Sequence, residues 1–173
     1  MTTYTSTTQP QSLIGRIRRH HALEHATLHV LAESLPKRNM AGYSDWRGFW
    51  ILGELTLEQV YAAVNTAQTR LKNGERELAV HPNCGTNFVV SGMVAGVGAF
   101  LAALGTGRRR RDWLEHLPMA ASMATLGLIL AQPLGFLIQE RFTTSPDLGD
   151  MQVVEITVSR RGPMPAFRVL TRG

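Results

Sequence analysis

The chain has 173 residues, with 18 Lys and Arg against 13 Asp and Glu, a formal net charge of +5 and 44% hydrophobic residues. Its single cysteine excludes an internal disulfide framework and suits a reducing compartment. Two stretches, 85–107 and 117–139, lack every Asp, Glu, Lys and Arg; each can cross a hydrocarbon core of about 30 Å as a helix, which excludes a purely soluble domain.

The elements follow in chain order. Residues 1–11, rich in Thr, Ser and Gln, form a disordered tail without the apolar run of a secretory signal. Residues 12–35 form a helix that Pro36 stops, with Leu13, Ile17, Leu28, Leu31 and Leu35 on one face. His21, Glu24 and His25 lie on or beside that apolar face, whereas His20 and His29 flank it as solvent-side or capping groups. Glycines bracket a strand over 48–53, with 40–46 as its partner, and Trp46 and Trp50 pack in the core. Thr56 and Gln59 have capping-box spacing for a second helix. Its stripe is Leu57, Val60, Tyr61, Val64 and Leu71, and Asn73-Gly74 stops it. A short strand over 77–81 then enters the turn His81-Pro82-Asn83-Cys84-Gly85.

The two apolar stretches predict spans over about 87–106 and 118–139, the first capped by Thr86 or Asn87. Gly92, Gly96, Gly98, Ala102 and Ala103 leave one side of the first span nearly bare, and Ala120, Ala124 and Gly127 answer on the second. The connection, RRRRDWLEH, forces an antiparallel hairpin with Trp113 as an interface anchor, and Pro133 kinks the second span beside Gln132. Beyond it, 151–158 and 166–171 are strands joined by a Gly/Pro turn. Alone they would be marginal in water, so they complete the sheet of the N-terminal domain. The expected fold class is α+β: a small helix/sheet domain formed by both chain ends, plus a two-helix transmembrane hairpin. The expected parts are a domain over 12–84, the hairpin over 85–139 and a completing tail over 140–173.

Basic residues stand scattered or beside the spans, which selects lipid headgroups over nucleic acid as partner. Arg108 to Arg111 in the loop balance Arg70, Lys72, Arg76 and Arg141 on the domain side. With no secretory signal in the N-terminal residues, the expectation is a multi-pass protein of the inner cell membrane with its domain in the cytoplasm.

The chemistry concentrates in His21-x-x-Glu24-His25. Imidazoles at i and i+4 of a helix reach one metal ion, and a glutamate between them can polarise a metal-bound water. The motif resembles the inverted zinc motif, H-x-x-E-H, of the pitrilysin-like metallopeptidases, which implies His21 and His25 as zinc ligands and Glu24 as general base. That family also needs a downstream glutamate ligand on another helix; here Glu75 and Glu77 stand beside an expected strand instead. Cys84, with or without His81, supplies the remaining ligands and gives an open or a closed zinc site. The same side chains also read as a metal-free buried His/Glu network, since an unpaired buried carboxylate is costly.

Two functions therefore stand side by side. One is a membrane-anchored zinc protein with hydrolase or peptidase chemistry at the membrane surface. The other is a non-catalytic accessory subunit that meets other membrane subunits, or itself, through Gly92, Gly96 and Gly98. Neither span holds a histidine, acid or base, which disfavours intramembrane haem ligation and proton relays. Together, HALEHATLHVL, GFWILG, LAVHPNCGTN and LAQPLGFLIQERFTTSPDLGD are similar to a family of uncharacterised bacterial two-span membrane proteins, over about 19–156. That resemblance implies the hairpin architecture and brings no activity with it.

Overall fold

The computed structural model describes residues 12–104, 107, 110–161 and 164–173. The expected tail over 1–11, Arg108 and Arg109 of the basic loop, and the turn at 162–163 lie outside the described residues. The chain divides into two compact units, one built from both chain ends and the other from Val80–Thr143.

The first unit opens with α1, Leu13–Ser34, where the Ser12 hydroxyl accepts from the Gly15 amide. It ends where Leu35 N–H donates to the Leu31 carbonyl, one residue before Pro36. Then come β1 (Met40–Asp45), β2 (Gly48–Gly53) and α2 (Leu57–Lys72). The capping box at the start of α2 is complete: Gln59 N–H donates to Thr56 Oγ1, and Thr56 N–H donates to Gln59 Oε1. Arg76–Ala79 is a single 3-10 turn where a strand over 77–81 was expected. Leu78 and Ala79 turn into the core there, and so short an apolar run carries no decisive period.

β3 (Gln152–Arg161) and β4 (Met164–Arg172) complete a four-stranded antiparallel sheet in the order β1-β2-β4-β3. Phe49 pairs with Val169 and Ile51 with Phe167 across the central strands, and all four are buried. With Ala22, Leu23, Ala26 and Leu31 of α1 and Val60, Val64 and Ala67 of α2, they form the core. Gly48, at φ 149°, has no room for a side chain against the Val169 carbonyl. Several expected core residues lie outside it: Leu13, Leu57 and Tyr61 are exposed, and Trp46 is 56% exposed. Trp50 is half-buried and carries the Arg168 guanidinium over its ring.

The second unit pairs α3 (Gly85–Ala103) with α4 (Arg110–Ile138), which continues into a π-helical turn, Gln139–Thr143. Both helices are long and apolar enough to cross a membrane. Helix α4 starts inside the expected loop, so the hairpin connection is shorter than the sequence suggested; Arg111 pairs with Glu115 one turn on. A Cβ on Gly98 would lie 2.8 Å from the Met123 carbonyl oxygen, and one on Gly127 would lie 2.9 Å from the Ala95 Cα. Small residues thus let the two antiparallel helices approach backbone to backbone. Gly98 faces α4, while added Cβ atoms on Gly92 and Gly96 meet nothing within 4 Å among the described residues.

Candidate metal centre

Helix α1 brings His21, Glu24 and His25 to its buried side because i, i+3 and i+4 share a face. The rings of His21 and His25 stand 4.3 Å apart, centroid to centroid, tilted by 59°. His25 is 2% exposed, and its Nδ1 lies 2.8 Å from the Ala79 carbonyl oxygen of the 3-10 turn. A carbonyl only accepts, so Nδ1 carries the hydrogen and Nε2 keeps the lone pair. Burial first, then the neighbouring His21, pushes the His25 pKa down to about 4. A neutral imidazole with one nitrogen anchored on a carbonyl is the form in which histidine binds a metal.

Glu24 is 3% exposed and accepts a 2.5 Å hydrogen bond from the Ser44 hydroxyl. A Cβ on Gly42 would lie 2.5 Å from Glu24 Oε1, so only glycine leaves room for this carboxylate under β1. Gly42 and Ser44 share one face of β1, two residues apart. Sequence reasoning missed both. An i, i+2 pair of small residues in the strand after a helix that buries an acid was the signal available.

His20 is 1% exposed, a correction to its expected solvent-side place. Its Nδ1 lies 2.7 Å from the Asp45 carbonyl oxygen and its Nε2 2.6 Å from Thr171 Oγ1, joining α1, β1 and β4. Burial is the main cause of its lowered pKa, opposed by the bond to Asp45. With both nitrogens occupied inside the first unit, His20 is a structural latch.

In the second unit, Cys84 is the N-cap of α3, and its Sγ accepts from the Thr86 amide at 3.4 Å. This corrects the expected caps, Thr86 and Asn87. The turn carrying it is closed by Cys84 N–H to the His81 carbonyl and by Asn87 N–H to the Cys84 carbonyl. His81 Nδ1 accepts from the Asn83 amide at 3.2 Å.

Within the first unit α1 brings His21 and His25 together, while the other expected ligands, Cys84 and His81, belong to the second unit. Two imidazoles and a thiol suit zinc, and three protein ligands leave one tetrahedral position for water or substrate. The downstream glutamates expected of a pitrilysin-like site are placed elsewhere: Glu75 is paired with Arg70, and Glu77 lies exposed in the 3-10 turn.

Comparison with known proteins gives a family described as Domain of unknown function (DUF6391), matching residues 16–156. An uncharacterized protein of Picosynechococcus sp. (strain ATCC 27264 / PCC 7002 / PR-6) is 34% identical over 138 residues. The match covers 75% of this chain and 66% of that relative, so the chain spans about two thirds of its length. No solved structure matches the chain.

Proposed function

The chain belongs to the family described as Domain of unknown function (DUF6391), and from its own residues we propose a membrane-anchored protein that binds zinc through His21, His25 and Cys84. The observation that carries this reading is the pairing of the His21 and His25 rings, 4.3 Å apart on one side of α1. The neutral, carbonyl-anchored His25 ring supports it, because a preset tautomer lowers the cost of binding a metal. His81 is the candidate for a fourth ligand, reached by turning its ring away from the Asn83 amide. The anchor is α3 with α4, in the inner cell membrane, with the sheet domain on the cytoplasmic side.

Bound zinc would supply Lewis-acid polarisation of a water or a substrate carbonyl. The chain's own residues then divide the work. His25 orients through Ala79, and Glu24 is the group able to take a proton as general base in a hydrolase or peptidase reaction. The Ser44 hydroxyl donates to Glu24 Oε2 and so helps to orient the carboxylate.

Elemental analysis of the detergent-purified chain tests the metal. Near-stoichiometric zinc that His25→Ala and Cys84→Ala both abolish is the expected result; wild-type protein that holds no zinc, even after reloading, overturns it. Glu24→Gln then tests catalysis: retained zinc with hydrolysis lost supports the base, and unchanged hydrolysis removes it.

A second reading, the accessory subunit, is favoured by Gly92 and Gly96. Spaced i, i+4 on α3 and open to at least 4 Å, they fit a helix of another membrane subunit or of a second copy. Loss of self-association or of a co-purifying partner in Gly92→Leu/Gly96→Leu, at unchanged zinc content, is its expected mark.

A further inference from the structure

In the first unit, a cleft of about 500 Å³ opens between the C-terminal end of α2 and the loop 146–149 that leads into β3. Its volume falls within the roughly 300–1,000 Å³ of small-ligand sites. Buried Leu71 and Leu148 line it on the core side. A glycine stands on each wall, Gly74 at φ 99° and Gly149 at φ 56°. Both take the left-handed conformation that favours glycine, and a Cβ on Gly74 would meet nothing within 4 Å among the described residues.

Positive charge gathers on this concave surface. Lys72 comes from the last turn of α2 and Arg76 from the start of the 3-10 turn. Both are exposed, and neither forms an ion pair among the described residues. Arg19 of α1 borders the opposite wall, with its Nη1 3.6 Å from where a Gly149 Cβ would lie. The carboxylate in the lining is Asp147, whose Oδ1 accepts from the Gly149 amide at 3.0 Å. Glu75 turns instead to Arg70, which also binds Glu33.

Closing α2 does not use up these cations. A basic side chain in the last turn complements the helix dipole, yet the Arg70 and Leu71 carbonyls already accept from the Glu75 and Gly74 amides. A concave surface with an excess of one charge concentrates counter-ions. Donors that come from α1, α2 and the 3-10 turn need acceptor oxygens in more than one plane. A tetrahedral phosphate offers them and a planar carboxylate does not, and both the guanidinium fork and the lysine point charge bind phosphate.

We infer that this cleft is a binding site for a phosphate group, with Lys72 and Arg76 as its main donors and Arg19 at its rim. The phosphate belongs to a soluble ester or to the headgroup of a lipid. The site uses none of the expected zinc ligands, so it stands whether or not zinc binds.

The test is a phosphorus-NMR titration of the full chain in detergent with inorganic phosphate, glycerol 3-phosphate and dioctanoyl phosphatidylglycerol. Wild type is compared with Lys72→Gln/Arg76→Gln and with Lys37→Gln/Arg172→Gln, which removes the same charge outside the cleft. Saturable binding that the first pair weakens at least about tenfold, and the second leaves unchanged, is the expected result. Asp147→Asn keeps the oxygen that accepts from Gly149 and removes the opposing charge, so it should tighten binding by about two- to fivefold. Phosphatidylglycerol that binds more tightly than glycerol 3-phosphate identifies a lipid headgroup as the source; otherwise the source is a soluble ester, and either supports the site. No saturable binding of any probe by wild type overturns the inference. So does a folded Lys72→Gln/Arg76→Gln that binds like wild type, or a control pair that loses as much. If the cleft variant loses its circular-dichroism signal, Asp147→Asn decides, and unchanged or weaker affinity there overturns the inference.

Discussion

At the scale of single residues, buried His20, Glu24 and His25 of the first unit each have a stated partner, and the size of a neighbour follows from that. Glu24 fits under β1 only because residue 42 is glycine. Gly42→Ala should therefore lower stability by about 1–3 kcal/mol, the usual cost of overpacking, read as a shift in chemical or thermal unfolding. In a Glu24→Ala background the same substitution should cost markedly less; equal costs in both backgrounds would show that the two side chains do not meet. Asp45 gives a second residue-scale expectation. Burial alone would raise its pKa, but hydrogen bonds from the Arg168 guanidinium and the Arg47 amide hold it below the ordinary value of 3.8. Its neighbours in charge are Arg168, at 2.8 Å, and His20, which donates to its carbonyl. A depressed carboxylate stabilises the fold above its unfolded value, and that contribution is lost as pH falls through the native value. The stability advantage of wild type over Asp45→Asn should be level near neutral pH and shrink below about pH 4. An advantage that grows on acidification would contradict the sign.

At the scale of elements, signals that rest on local chemistry could be read in the sequence, and those that rest on tertiary contact could not. The Thr56 and Gln59 capping box, the Pro36 stop and the glycine-bracketed strand β2 are all written in neighbouring residues. Cys84 as a helix cap is not, because sulfur is a weak acceptor and residue preference points to the hydroxyl and amide side chains just after it. The 3-10 turn at Arg76–Ala79 is not legible locally, because it packs against α1, distant in sequence. The burial of His20 is not legible in the sequence, because its partners, Asp45 and Thr171, come from two other elements. In the candidate site, the i, i+4 histidines are readable, while the Ser44 contact to Glu24 requires the fold. Thr56→Ala should cost about 1 kcal/mol in unfolding, since it strips α2 of its cap; no change would show that Gln59 suffices alone. In the helix pair, Gly127→Leu should disrupt packing against Ala95 and lower the unfolding midpoint, whereas Gly92→Leu should leave a monomer's midpoint unchanged. Equal effects would place both glycines on the α3–α4 seam.

At the scale of the whole molecule, the α+β class and the joining of both chain ends in one sheet followed from counting spans: two crossings return the chain to its starting side, and two lone strands need a sheet to join. The strand order did not follow. It places β4, fourth of the four strands in chain order, between β2 and β3, so that it is a central strand of the sheet. Removing residues 144–173 should leave β2 with an open edge and Phe49 and Ile51 uncovered. The truncated chain should become sensitive to limited proteolysis within 12–79, and persistent resistance would mean that α1, α2 and the β1–β2 hairpin fold alone.

The β2–β4 pairing joins Gly48–Gly53 to a strand that begins at Met164, with both apolar helices in between. When those helices cross a bilayer, the pairing works as a parity check on insertion. Only an even number of crossings brings β4 back to β2, and a chain that misses one crossing keeps its largest core side chains without a lid. Such a chain would be recognised by the cell's proteases through the exposed sheet edge, with no reader needed inside the membrane.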